Sequence, residues 1–244
     1  MTQVPPKRPP LREERAEIIG GVLGLLTHDL RNPLAALSSN VGFLSMVGDN
    51  FSEEVREALA DVHLSIEALT RIVDSLELLA HDLGTLHGPV NTAVRVADVL
   101  RSVIPPVARA ADSHGVFLAR KNHDQDEARI LVGEVYFSRS LAALLLNAIT
   151  VTPPKSTVEL DVFREPSAVV FRVTDEGPAL EPVLAEAALS AAGQVEVKTA
   201  RGGRYSRGLG LYVVARAAEM AGARVRVGSS SSGSVIDLIC NEAK

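Results

Sequence analysis

The chain has no tryptophan, three tyrosines and six phenylalanines, so aromatic residues make up only 4% of it. Few platforms are available for stacking on nucleic-acid bases, and the net charge of −5 argues further against nucleic acid as a main ligand. The single cysteine, Cys240, can form neither an intrachain disulfide nor a zinc-finger framework, and it fits a reducing, cytoplasmic setting. Long apolar runs are missing too. The longest, such as residues 141–149, reach about half of the ~20 residues a bilayer requires. The start lacks the apolar core of a signal peptide, so no membrane anchor or export signal is expected. What is present, 244 residues with 46% apolar and 23% charged, matches an ordinary soluble globular protein of one large or two small domains.

Charge is unevenly placed. Residues 1–83 carry 7 Lys and Arg against 13 Asp and Glu, a net −6, whereas residues 84–244 carry 18 against 17. The first third opens on a tail, residues 1–11, whose Pro5, Pro6, Pro9 and Pro10 cannot enter a helix interior and which is expected to be disordered. From Val55 the apolar residues alternate in steps of four and three, through Leu59, Val62, Ile66, Leu69, Val73, Leu76 and Ala80 to Leu83. This is a heptad seam. Ser52 ahead of Glu53 and Glu54 makes a good helix start. A helix over 52–83 would be roughly 48 Å long and would need a partner along its length. Ile19, Leu23, Leu26, Leu30, Leu34, Leu37, Val41 and Leu44 repeat in the same way ahead of Gly48, Asp49 and Asn50, so residues 12–83 read as a helical hairpin. Two antiparallel helices cannot enclose a core alone, which predicts a homodimer whose two hairpins form a four-helix bundle. A monomer with its hairpin packed on its own C-terminal domain is the alternative.

His28 falls two residues after Leu26 and two before Leu30, roughly 200° from each of these seam positions on a 3.6-residue helix, and is expected to face solvent. Pro33 lies deep in the same helix, where it removes the hydrogen bond to the Asp29 carbonyl and is expected to bend the axis at a cost of ~3 kcal/mol. Such a cost suggests a site rather than a plain scaffold. Imidazole is both a nucleophile and a good leaving group for a phosphoryl unit near neutral pH. Asp29 is placed to take its proton or fix its tautomer, and Asn32, at i+4, to position a water. Taken alone, an exposed histidine beside an aspartate is also a common surface pair. His63, His81, His87, His114 and His123 have no comparable neighbourhood and are too dispersed for a metal site.

The string Leu26-Thr27-His28-Asp29-Leu30-Arg31-Asn32-Pro33-Leu34 resembles the H-box of sensor histidine kinases, the dimerisation and phosphoacceptor helix of two-component signalling. The resemblance implies that His28 is phosphorylated, that Asp29 is its general base, and that Asn32 serves in dephosphorylating a partner response regulator.

After a linker at 84–91, with Gly84, Gly88 and Pro89, the pattern becomes mixed. Helices are expected over 94–107, 134–151 and 209–220. Strands are expected over 116–119, 157–164, 168–174, 224–227 and 235–239, with a hairpin around Pro166. For residues 92–244 this predicts an α+β sandwich, helices on one face of a mixed sheet. Three spots could carry chemistry. Asn147 interrupts an otherwise apolar helix and needs a hydrogen-bond partner, a ligand or a metal. Asp175 ends a strand ahead of Glu176, Gly177 and Pro178, by itself a common turn signal. Arg207-Gly208-Leu209-Gly210 opens a helix whose free N–H groups and dipole favour an anion, although a lone Gly-x-Gly also serves plain structure.

In this order the three spots resemble the N, G1 and G2 boxes of Bergerat-type ATPases, the ATP-binding domain of histidine kinases, and the whole resemblance spans residues 16–240. It implies that Asn147 coordinates Mg2+, that Asp175 accepts a hydrogen bond from the adenine amino group of ATP, and that Gly177 lets the backbone approach the base. Gly208 and Gly210, with Arg207 beside them, would bring the helix N-terminus to the phosphates, and Ser234 matches a threonine position near the adenine-binding aspartate. The segment between Gly177 and Gly208 would form a lid whose Lys198, Arg201, Arg204 and Arg207 either close over the triphosphate or make a solvated basic loop. Five positions depart from the family pattern: Ala143 for a second asparagine, Thr150 for a basic residue, Pro178 and Ala179 in the G1 turn, and Ser206 for the first G2 glycine. Two readings follow. One is a cytoplasmic histidine kinase that uses ATP and Mg2+ to phosphorylate His28 and passes the group to the receiver domain of a response regulator. The other is a histidine phosphotransferase or pseudokinase scaffold that relays phosphate without ATP. Almost nothing remains for sensing, so the signal is expected from an upstream cytoplasmic sensor protein.

Overall fold

The computed structural model describes residues 11–48, 51–84, 90–121, 123–179, 187–190, 210–230 and 233–243. The chain divides into two compact units, Met1–His87 and Gly88–Lys244.

The first unit contains two helices, α1 (Leu11–Val47) and α2 (Glu53–Gly84). α1 begins at Leu11 and runs on through Pro33, which costs it a hydrogen bond without ending it. At the turn the Phe51 N–H donates to the Gly48 carbonyl at 2.9 Å, and the Ser52 carbonyl accepts from Val55 and Arg56 to start α2. Burial on α1 recurs at every seventh residue, at Gly20, Thr27, Leu34 and Val41, and again at Gly48 just past its end. On α2 the matching row is Ile66, Val73 and Ala80, with half-buried Leu59 in the same register. Leu34, Val41, Ile66 and Val73, with Leu59 against them, make the apolar cluster of the hairpin.

The seam expected as one stripe is therefore split. One row faces the sister helix. The other row, with Leu26, Leu30, Leu37 and Leu44 on α1 and Val55, Val62 and Leu69 on α2, stays exposed. The reason is geometric: an apolar stripe repeating in threes and fours is wide enough for neighbours on two sides, and a hairpin gives each helix only one.

The second unit runs β1 (Thr92–Arg95), α3 (Val96–His114), β2 (Phe117–Lys121), a 3-10 turn (His123–Gln125), β3 (Arg129–Val132), α4 (Glu134–Val151), β4 (Thr157–Glu165), β5 (Ala168–Thr174), α5 (Gly210–Met220), β6 (Arg224–Ser229) and β7 (Ser234–Glu242). The sheet order is β1-β3-β7-β5-β4-β2, with β6 paired to β7. β2 and β4 are parallel, and the other pairs are antiparallel. The helix expected from residue 94 is corrected: Val94 lies in β1 opposite Ile130, and α3 starts at Val96. β3 was not expected at all, because four residues with Ile130 and Val132 turned inward are too few to show a period. α3 also continues beyond Val107, to Gly115, whose left-handed conformation (φ 64°) closes the helix with bonds to the carbonyls of Ala111 and Asp112.

Helices cover one face of the sheet. Inward residues of β4, β5 and β7, such as Leu160, Phe171 and Leu238, share one core with Leu141 and Leu145 of α4. The rings of Phe137 and Phe171 meet edge to face at 5.0 Å, and the buried Ser140 hydroxyl donates to the Val214 carbonyl at 2.9 Å, tying α4 to α5. Cys240 points into this core, where burial pushes its thiol up to about 12 and leaves it unreactive.

The other face is held by charge. Asp237 of β7, almost wholly buried, accepts from Arg172 of β5 at 2.8 and 3.0 Å and from Arg226 of β6 at 2.9 and 2.7 Å. Arg226 reaches on to Glu165 at 2.7 Å, and the Arg172 guanidinium lies 4.9 Å over the Phe163 ring. Burial by itself would raise the Asp237 carboxyl, but the hydrogen bonds from Arg172 and Arg226 outweigh it and hold the group below the usual carboxylate range. A carboxyl lowered in the folded state adds stability above its unfolded value, near pH ~4, and loses that contribution as pH falls through the folded value. Asp237→Asn should cost ~1–3 kcal/mol at neutral pH, since the arginines it leaves are partly solvated, and should flatten the acid-side loss. Urea titrations of both chains at neutral pH and near pH ~3 check this, and equal losses in acid would remove the assigned linkage.

Candidate functional site

In the hairpin, the position that faces α2 is Thr27, whose hydroxyl donates to the Gly24 carbonyl at 2.8 Å. The next residues turn outward by about 100° each. The side chains of His28 and Asp29 are accordingly 77% and 80% exposed, and His28 Nδ1 stands 3.3 Å from Asp29 Oδ1. A carboxylate at Nδ1 favours the tautomer with its proton there and leaves the Nε2 lone pair facing out. Asn32, one turn along, is exposed as well. Between them Arg31 turns the other way, toward α2, where it donates to Glu77 at 3.1 and 2.7 Å and to Asp74 at 2.7 Å. The hydrogen bonds to Glu77 and then Asp74 hold its guanidinium above the usual arginine range. Sequence reasoning gave Arg31 no role. The signal available for it was an acidic pair one turn apart on the other helix.

In the second unit, Asp175 follows β5 with its carboxylate buried. Its Oδ1 accepts from the Gly177 N–H at 2.9 Å and the Ser234 N–H at 3.3 Å, and its own N–H donates to the Ser234 carbonyl at 3.1 Å. Ser234 thus works through its backbone. The Glu176 carboxylate accepts from the Thr157 N–H at 3.0 Å and fixes the far side of the turn. A Cβ at Gly177 would sit 2.7 Å from the Val151 carbonyl oxygen and 3.0 Å from Asp175 Oδ1. A Cβ at Gly233 would run into the Asp175 backbone carbonyl. Gly233 escaped sequence reasoning, and its only signal was a glycine in a run of serines.

Val151 lies at i+4 from Asn147 on α4, so both share the helix face toward this turn. The Asn147 side chain is half-buried and bonds to no described residue. Asn147, Asp175, Gly177 and Ser234 are therefore gathered where α4 ends, β5 ends and β7 begins. Gly210 opens α5 with a φ of 46°. Arg207, Gly208, Ser206 and the lid cations Lys198, Arg201 and Arg204 lie outside the described residues. The fold accommodates the departures from the family pattern that fall on described residues: the Thr150 hydroxyl folds back on the Leu146 carbonyl at 2.7 Å, Ala143 packs against the core, and neither Pro178 nor Ala179 takes a positive φ. Among the described residues no cluster of three or more His, Cys, Asp or Glu could hold a metal ion, and no helix is long and apolar enough to cross a membrane.

Residues 20–83 match the His Kinase A (phospho-acceptor) domain, and residues 134–242 match the histidine kinase-, DNA gyrase B-, and HSP90-like ATPase family. The chain belongs to the histidine kinases and carries the two-domain core of a two-component kinase. It is 28% identical over 218 residues to the sensor protein QseC of Salmonella typhi, an alignment covering 84% of this chain and 44% of that protein. The chain thus spans less than half the length of that relative. Among solved structures, full-length ShkA in complex with AMPPNP matches with a TM-score of 0.61 at 21% identity, over 92% of this chain and 46% of that one. The Acinetobacter baumannii histidine kinase AdeS matches with a TM-score of 0.53 at 16% identity, over 89% of this chain and 98% of that one. Both share the fold.

The two ends of the G1 turn should respond differently to a methyl group. Gly177→Ala must displace the Val151 carbonyl and should cost ~1–3 kcal/mol, whereas Ala179→Gly, at an exposed site, should stay within about 0.5 kcal/mol. Denaturant titration of the two variants checks the contrast; equal stabilities would show that the turn is not built around Gly177.

Proposed function

We propose that the chain is an ATP-dependent protein histidine kinase that phosphorylates itself on His28 and passes the phosphoryl group to an aspartate in the receiver domain of a response regulator. The observation that carries this reading over an ATP-independent relay is the Asp175 turn. A relay has no need of a buried carboxylate oriented by two backbone N–H groups, with glycine kept at the two positions where a Cβ would collide. A fixed acceptor of this kind suits the exocyclic amino group of adenine. The Asn147 amide oxygen, a hard donor at the same end of α4, suits Mg2+, and the start of α5 at Gly210 suits phosphate oxygens.

ATP supplies the γ-phosphoryl group, and Mg2+ offsets its charge. Asp29 keeps the proton on His28 Nδ1, so the lone pair of Nε2 is the nucleophile. An N–P bond forms as the bond from the γ-phosphorus to the ADP oxygen breaks, and Asp29 balances the imidazolium that results. The phosphohistidine then yields its phosphoryl group to the receiver carboxylate, with imidazole as the leaving group. Asn32, exposed one turn away, is placed to orient a water for hydrolysis of the phosphorylated receiver.

The exposed row of Leu26, Leu30, Leu37, Leu44, Val55, Val62 and Leu69 supports a homodimer in which two hairpins close a four-helix bundle. A charge in the middle of that row should separate the halves: Leu37→Glu is expected to be monomeric by light scattering at concentrations where the parent chain is dimeric. A dimeric Leu37→Glu would move the interface elsewhere.

The kinase itself is tested with labelled ATP and Mg2+. Label should appear on the parent chain and be absent from His28→Ala. Asp175→Asn should lose nucleotide binding, by a factor of ten or more, and yet accept phosphate from a phosphorylated receiver domain. Nucleotide titration that shows no binding to the parent chain, together with phosphate uptake from a receiver, would establish the relay instead.

A further inference from the structure

Arg31 lies within the phosphoacceptor string and turns its back on it. Its guanidinium spans two carboxylates one turn apart on α2, with three hydrogen bonds of 2.7 to 3.1 Å to Asp74 and Glu77. A planar fork bound in this manner fixes direction as well as distance, which a point charge does not. The side chains of Arg31, Asp74 and Glu77 are 42%, 56% and 31% exposed, so solvent screens the pair and its contribution to stability is small. What the fork can supply is orientation.

Near His28, α1 contributes little to its own orientation. The apolar cluster that locks the two helices reaches only as far as Leu34 and Val73. Toward the start of α1 the buried row continues with Thr27 and Gly20, and toward the end of α2 with Leu78 and Ala80. The α1 groups are small, and the Thr27 hydroxyl is spent on its own helix. Groups of that size give α1 no knob of its own to set its rotation at this end. Neighbouring residues are about 100° apart around a helix, so a modest rotation of α1 swings the imidazole through several ångströms. Phosphoryl transfer needs its nucleophile in line, and a displacement of about 1 Å can cost ~100-fold in rate.

We propose that Arg31 is a positioning residue for phosphoryl transfer: by gripping Asp74 and Glu77 it sets the rotation of α1 and thereby the aim of His28. The proposal rests on His28 being the phosphoacceptor. It is tested in the full chain by the rate of His28 labelling over a range of ATP concentrations. Arg31→Ala should lower kcat by about 10- to 100-fold and leave KM for ATP within about twofold, with thermal unfolding and oligomeric state unchanged. Arg31→Lys, which keeps the charge and loses the fork, should fall between. Arg31→Glu should be as slow as Arg31→Ala, and adding Glu77→Arg should restore at least about tenfold, because the reversed pair rebuilds the link between the helices. An Arg31→Ala chain labelled within twofold of the parent would overturn the proposal. So would a loss that the reversed pair does not recover, since the guanidinium would then act on the phosphoryl group and not through α2. Label that persists in His28→Ala removes the phosphoacceptor and this proposal with it, whereas indifference to Arg31→Ala in a chain whose label depends on His28 removes the proposal alone.

Discussion

A carboxylate taken out of water has to find hydrogen bonds in the protein or give up its charge, and the ATPase-type unit is arranged around meeting that condition at Asp175. The donors come from the backbone of Gly177, two residues on, and from Ser234 at the head of β7. Both approaches require bare glycine. Gly177 lets the turn lie against the last carbonyl of α4, and Gly233 lets the β6–β7 connection lie against the carbonyl of Asp175 itself. A helix end and two strand ends are thus pinned to one side chain. The pin holds because β7 is paired with β5 along one edge and with β6 along the other, and because Asp237, three residues beyond Ser234, binds arginines on both neighbours. A site on elements braced in this way is placed more exactly than one on a loop.

The hairpin follows the opposite logic. On the proposed reading His28 is reached first by a nucleotide and then by another protein, so it cannot be buried and nothing in a core can hold it. Its order comes from one neighbour on each side: Asp29, which touches the ring, and Arg31, which touches the other helix. The seven-residue rows explain why the unit can be so open and still hold together. One row on each helix closes the hairpin, and the row left over is the apolar surface that the proposed dimer would cover.

How far the sequence foretells this depends on how local each interaction is. α4 was legible to the residue, because eighteen positions of apolar pattern lie between a glycine and a Thr-Pro stop. The β4–β5 hairpin was legible through Pro166 and two alternating runs. β1 and β3 were not, since strands of four residues with two inward side chains carry no readable period. The heptad on each helix was legible, but its division into a paired and an open row was not, because that depends on how many neighbours a helix has. The same holds at the sites. Asp175 and Gly177 stand two residues apart and form a motif. The need for Gly233 arises from contact with a residue 58 positions earlier, and the work of Arg31 from carboxylates 43 and 46 positions later.

That distinction also settles how the eroded motif should be weighed. Counting family positions lost treats Ala179 and Gly177 as equal members of one box, yet the backbone treats them differently. The turn at Ala179 is exposed and needs no left-handed residue, so nothing in its backbone demands glycine there. At Gly177 a methyl group meets a carbonyl. Thr150 and Ala143 are of the first kind: one hydroxyl satisfied by its own helix, one methyl packed into the core. Drift is expected to accumulate at positions of this kind, because nothing in the fold opposes it. A box that has lost its signature while keeping every glycine its geometry demands is the pattern of a turn still under steric constraint, and the constraint is the buried carboxylate of Asp175.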